Sequence, residues 1–411
     1  MAGRFWSAAV VLAAVLGATA CSGGGAPAAP EAAPPALPGA PVPGLAAQPV
    51  WQGALAARGH GDFGTSVFQK VASTGEVFAF LGDQGQQEVL TFVDPASGRE
   101  RASIPVPSGE SKAAEVTSGD VGGRPVVVLR YPTTTPGTTT TAAREEAVTE
   151  VYDSAAQLVW RQAGEPDSPE QFRNGWLVRS EPGSGVQVVH DLGGTEVWRS
   201  GDLTIAGAQH VVEVRGDVLI TQYGDSGPLV AYRLSPAGSA QLWQSSDVAP
   251  PGEGGPAVAP DVVGFAEGQV LIHWQLDADF YALAAHDPAS GAVAWSVPVE
   301  RGHRWSGFQQ DLTYDPVSGV AAVHSESGAT VVDVRGGRLL WENSDEDRAF
   351  QVTAVTARAV YGLVDGELPI AMATEQKQLV GEGLTALPIA TAGGYAWATR
   401  GPAEHWVFAV E

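Results

Sequence analysis

From Trp51 to the last residue, apolar side chains come in short runs broken by Gly, Asp, Ser and Pro. Examples are "EVFAFLG" (76–82), "RPVVVLRY" (124–131), "DVLITQYG" (217–224), "QVLIHW" (269–274) and "AVYGLV" (359–364). Each has the length of one strand and is rich in β-branched or aromatic residues. No long stretch shows the three-to-four spacing of an amphipathic helix. The pattern predicts an all-β chain with many tight turns.

The runs also repeat. Aligned on a terminal tryptophan, they read "TEVYDSAAQLVW" (149–160), "VQVVHDLGGTEVW" (186–198), "VAYRLSPAGSAQLW" (230–243), "YALAAHDPASGAVAW" (281–295) and "TVVDVRGGRLLW" (330–341). The tryptophans Trp160, Trp198, Trp243, Trp295 and Trp341 are 38, 45, 52 and 46 residues apart. A unit of that length matches one four-stranded propeller blade. Within the unit, a strand ends in Asp or a polar substitute, whose side chain can bond the amides of the turn. A Gly soon after supplies the positive φ that other residues resist. The Trp then closes the next strand and suits the wedge between neighbouring blades. The five letters DPASG occur twice, at 94–98 and 287–291, with "DPVSG" at 315–319 as a cousin.

This unit resembles the PQQ-like, or quinoprotein-type, β-propeller repeat. Its best copy runs from Tyr281-Ala282 through Asp287, Ser290 and Gly291 to Trp295, with the Asp two places late and Ser for Thr. Blade 1 has Ala102 where a Trp is expected. The resemblance implies a single propeller over 49–411. Counting gives eight blades, with seven as the alternative: about 64–106, 113–163, 167–201, 203–247, 258–300, 305–345 and 349–382, then a final segment with only three strands. The missing strand is expected from "QPVWQGAL" (48–55), so that Trp51 pairs with the C-terminal blade and closes the ring. "YPTTTPGTTTTAAREE" (131–146) is expected as a long exposed loop in blade 2, with O-glycosylation as the other reading.

Composition adds a location. Arg4 is the only charge among the first twenty residues. An apolar stretch from Ala8 to Leu16 and the small residues Ala18-Thr19-Ala20 follow, as in a secretory signal. Cys21, the only cysteine, comes next. The arrangement resembles a bacterial lipobox, with Ala18 where Leu is usual. It implies a signal peptide over 1–20, a diacylglyceryl group on Cys21, and stable anchoring to the outer face of the cell membrane by more than one acyl chain. A plain secreted protein with a stray cysteine is the alternative. Residues 21–48, rich in Pro, Ala and Gly, read as a tether. The formal charge of −23 argues against nucleic acid as a partner. Three lysines against 20 arginines, with abundant Ala, Gly and Val, resemble a high-GC, actinobacterial proteome.

Candidate chemistry is sparse. "GDSGP" (224–228) resembles a serine-protease segment with Ser226 in the active place, but its partner motifs are missing and a hairpin turn explains it. Asn343, Asp345 and Asp347 begin a calcium-loop pattern without its Gly and Glu. "DADF" (277–280) has the same status. The eight histidines form no HxH or HExxH pair. Quinone dehydrogenases of the resembled family use adjacent cysteines, which this chain lacks, so no cofactor is expected. The reading is an exported, lipid-anchored, monomeric propeller. It is expected to act as a non-catalytic binding or scaffold module for a protein, peptide or envelope polymer. The architecture is similar to the propeller lipoprotein of the outer-membrane assembly machine. A small-molecule sensor or quinone-type enzyme using the central funnel is the alternative. Its mark would be titratable groups of perturbed pKa converging at the funnel.

Overall fold

The computed structural model describes residues 41–53, 71–84, 87–107, 114–135, 142–164, 171–181, 184–201, 208–224, 227–248, 251, 259–276, 281–299, 311–324, 328–343, 349–400 and 404–411. These form eight four-stranded antiparallel sheets. Seven are consecutive in the chain, at 71–105, 115–164, 171–199, 209–244, 259–299, 311–342 and 350–382. In blade 8 the strands Leu387–Ala392, Tyr395–Arg400 and Glu404–Ala409 are joined by Trp51–Gly53 as the fourth. From blade 3 round to blade 8, and on through blade 1 to blade 2, the first strands of neighbouring blades lie side by side. That arrangement sets them around the central axis and leaves the fourth strands at the rim. The count is eight, and the N-terminal strand closes the ring.

The register explains the tryptophan repeat. Trp160, Trp198, Trp243, Trp295 and Trp341 pair with Val151, Val189, Ala231, Ala285 and Val331 of their third strands. In each of these pairs the register shifts immediately before the tryptophan. The residue ahead of the Trp is left without an opposite number, as in a β-bulge. A bulge strengthens the local twist and turns the indole toward the following blade. Trp51 pairs with Val407 and holds this place in blade 8. Ala102 holds it in blade 1, opposite Phe92, and Gly381 holds it in blade 7, opposite Ala371.

The closing seam is aromatic. Trp51 lies 5.5 Å from Phe80 and 5.0 Å from Trp397 between ring centres, and Phe78 meets Trp397 edge-on at 5.6 Å. Such pairs contribute beyond their buried area. The segment ahead of Trp51 is part of the same core. Val42 and Leu45, assigned to the tether by composition, are 2% and 3% exposed. Leu45 bridges Val410, Ala46 N donates to Ala409 O, and Glu411 N donates to Gly44 O. Tyr361 Oη donates to Pro43 O at 2.6 Å, and a Cβ built on Gly381 would approach the Pro43 ring at 2.9 Å. Residues 41–50 are therefore a strap. Its proline occupies ground beside the one fourth strand that carries glycine at the tryptophan place.

Blades 2 and 3 contrast in strand length. The second strand of blade 2 runs Arg124–Thr135 and the third Arg144–Tyr152, so the ends of the expected loop are paired strand: Thr133 faces Glu146 and Thr135 faces Arg144. Threonine is β-branched and favours extended backbone, which corrects the loop reading there; residues 136–141 lie outside the described residues. Blade 3, by contrast, is built from strands of three to five residues. The core at this junction has only Val126, Val128 and Val151 fully buried, with Val121, Trp160 and Phe172 against them. It is the smallest of the described clusters.

Candidate functional site: the cleft between blades 2 and 3

The two DPASG turns prove to be joints between blades. Asp287 Oδ1 accepts the amides of Ala289 and Ser290 and the Ser290 hydroxyl, at 2.8–3.0 Å, and Gly291 N donates to Asp287 O. These bonds hold the Asp287 carboxyl below its usual range. Gly291 has φ +72°, and a Cβ there would strike the Trp243 ring of blade 4 at 2.9 Å. Trp243 Nε1 donates to Pro288 O in the same turn. At the other copy, Asp94 is bonded by Arg101, Ser97 and Ala96, which lowers its carboxyl to about 2. A Cβ on Gly98 would meet Trp51 of blade 8 at 2.6 Å. Trp160 and Trp341 likewise donate to Leu192 O and Ala373 O of the following blades.

His286 braces one joint from behind. Trp274 Nε1 donates to its Nε2 at 2.9 Å, so Nδ1 carries the proton and donates to Gly291 O at 2.9 Å. Burial pushes the imidazole below its ordinary pKa, so it stays neutral. Asn343 is buried, and its backbone N–H donates to Ala329 O. Asp345, Asp347, "DADF", Ser226 and Cys21 lie outside the described residues. Gly227 N donates to Tyr223 O across the turn of "GDSGP", where a Cβ would collide with that carbonyl. Among the described residues no three His, Cys, Asp or Glu side chains come together as metal ligands. No described helix is long and apolar enough to cross a membrane.

A cleft of about 360 Å³ opens where the thin junction leaves room, lined by Trp160, Arg161, Gln162, Leu177, Arg179, His190 and the turn Leu192–Gly194. That volume falls at the lower end for small-ligand sites. Strand alternation builds one wall: Leu177 faces His190 across the pair, and Arg179 faces Val188, so all four share one side of blade 3. The other wall is the fourth strand of blade 2, Leu158–Gly164. The Arg161 side chain turns from there to the opposite, blade 1 face of the sheet: its Nε donates to Glu150 Oε1 at 2.9 Å, and Tyr131 and Tyr152 donate to the same buried carboxylate. Leu158 and Val159, next to the cleft, are 52% and 47% exposed.

Two carboxyls stand elsewhere on the first strands. Burial raises Glu213 of blade 4 despite the nearby Arg173 and Arg215, and it raises Asp261 of blade 5. Neither these residues nor Arg161, Arg179 and Glu150 belong to any sequence motif. Only their places in a strand period mark them, and those became readable once the blades were aligned.

A model of the family described as outer membrane protein assembly factor BamB matches residues 144–377, more than half of the chain. The chain belongs to this family. The match begins in the third strand of blade 2 and ends in blade 7, so the cleft between blades 2 and 3 lies within it. Similar solved structures include the computationally designed Ika8 protein, with 12% identity over 87% of this chain and 100% of that one, at TM-score 0.45. BamB from Moraxella catarrhalis has 12% identity over 83% and 96%, at 0.44. Sqt1 of Saccharomyces cerevisiae has 9% identity over 84% and 96%, also at 0.44. No curated protein matches the chain at a significant level.

Proposed function

We propose that this chain is an exported lipoprotein, held to the outer face of the cell membrane through Cys21. In this reading its propeller is a non-catalytic binding module for a protein, peptide or envelope polymer. Membership of a family named for an assembly factor carries it. The closed ring adds support, since a rigid circular scaffold offers two faces and a rim for docking. The anchor reading rests on the lipobox-like placement of the only cysteine. Cys21→Ala should release the protein from the membrane fraction of its host into the soluble fraction; retention overturns the anchor. Crosslinking of the anchored protein in its host should recover a defined envelope component, and recovery of none overturns the binding module.

A second reading places a small molecule at the central channel, and the raised Glu213 and Asp261 favour it. It requires a small molecule from the host envelope extract to bind the purified wild type. That binding must weaken in the Glu213→Gln, Asp261→Asn double variant.

A further inference from the structure

We infer that the cleft between blades 2 and 3 is a docking site for an extended peptide segment that alternates apolar and acidic side chains. The inference rests on the binding-module reading above and names its partner chemistry.

Charge is the first observation. The chain carries a formal −23, yet among the described residues the side chains lining the cleft include Arg179 and His190 and no carboxylate. Among the described residues, neither the Arg179 guanidinium nor the His190 ring makes a hydrogen bond or a close ion pair. Glu196, which pairs across the strand with His190, has both oxygens gripped by Arg199, and Asp191 Oδ1 is taken by the amides of Gly193 and Thr195. Arg161 is turned away from the cleft, to the blade 1 face of its sheet, where the buried Glu150 holds it. The Arg179 guanidinium and an imidazole N–H of His190 are thus left, among the described residues, to donate to an incoming anion.

The same repeat position elsewhere shows that this is an opening and not a general property of the fold. His190 and His286 both precede the repeat Asp. In blade 5 a tryptophan indole and a backbone carbonyl seal His286 away. In blade 3 the equivalent ring faces the cleft. The short strands of blade 3 leave no tryptophan to cover it.

The apolar half of the recognition lies alongside. Leu158 and Val159 are exposed next to Trp160 on a strand whose outer edge pairs with nothing in its own sheet. A lone small anion would make no use of them. A segment with acidic side chains directed at Arg179 and His190, and apolar ones laid on Leu158 and Val159, uses both. Charge complementarity favours such a partner over a basic one.

The test uses two capped peptides, Leu-Asp-Leu-Glu-Leu-Asp and its amide counterpart Leu-Asn-Leu-Gln-Leu-Asn, titrated into the purified mature protein while Trp160 and the other indoles are read by fluorescence. The acidic peptide should bind at least tenfold more tightly than the amide. The gap should close in Arg179→Gln and shrink with added salt. Arg400→Gln, an exposed arginine of blade 8, serves as control and should leave the gap intact. Equal affinity for the two peptides, no binding of either, or a gap that survives Arg179→Gln overturns the inference. Photo-crosslinkers placed at Leu158 and, on the exposed rim of blade 7, at Leu379 separate this from the broader reading. Capture of an envelope component at Leu379 but not at Leu158 removes the cleft and leaves the binding module standing.

Discussion

At the scale of single residues, the joint at Gly291 is where chemistry and packing meet. Any side chain there faces a left-handed φ of +72° and the Trp243 ring together. Gly194 has φ +86° but open space around it. Gly291→Ala should therefore destabilise the fold by more than about 1 kcal/mol, and clearly more than Gly194→Ala, as read from urea midpoints. Trp243→Ala removes the other half of the joint and should cost about 3–5 kcal/mol. His286 gives a pH signature. Its folded pKa lies below the unfolded value of about 6.5, so the fold favours the neutral ring. The stability it contributes is complete above about pH 6.5 and is lost progressively as the pH falls toward the folded pKa. Between pH 7.5 and 5, wild type should lose more stability than His286→Gln; parallel losses would refute the brace.

At the scale of elements, much was legible because local chemistry agreed with the fold. Apolar runs of strand length, Asp and Gly at the turns, and a Trp at the end of five repeats located seven blades to within about seven residues. They also showed that "QPVWQGAL" was a fourth strand without its own sheet. The strap was not legible. Val42 and Leu45 are two large side chains among Pro, Gly and Ala, and composition read the segment as tether. The place of Gly381 beside Pro43 emerged only from the strand register. Leu45→Ala should cost about 2–5 kcal/mol in a denaturation series. Tyr361→Phe should cost about 1 kcal/mol, through loss of the bond to Pro43 O. The cleft was illegible for a different reason. It arises from a mismatch in strand length between two blades, and Trp160, His190 and the Leu192–Gly194 turn that line it read only as parts of the structural repeat.

At the scale of the whole molecule, the ring is one closed series of joints, and its last joint is made by residues from opposite ends of the chain. The Trp51–Gly53 strand pairs Val407 to His405, and nothing local replaces it. Trp51→Ala should lower the unfolding midpoint as much as Trp243→Ala does. A chain truncated before Glu404 should fail to unfold as one cooperative transition. Closure also sets a timetable. The strap and Trp51 are made before blade 1, while the strand they pair with is made after blade 7. At about 5–20 residues per second the interval is roughly 20–70 s. Over that time residues 41–53 wait without their partner, and any product that stops short leaves them waiting. The fold thus contains its own check that blade 8 has been made.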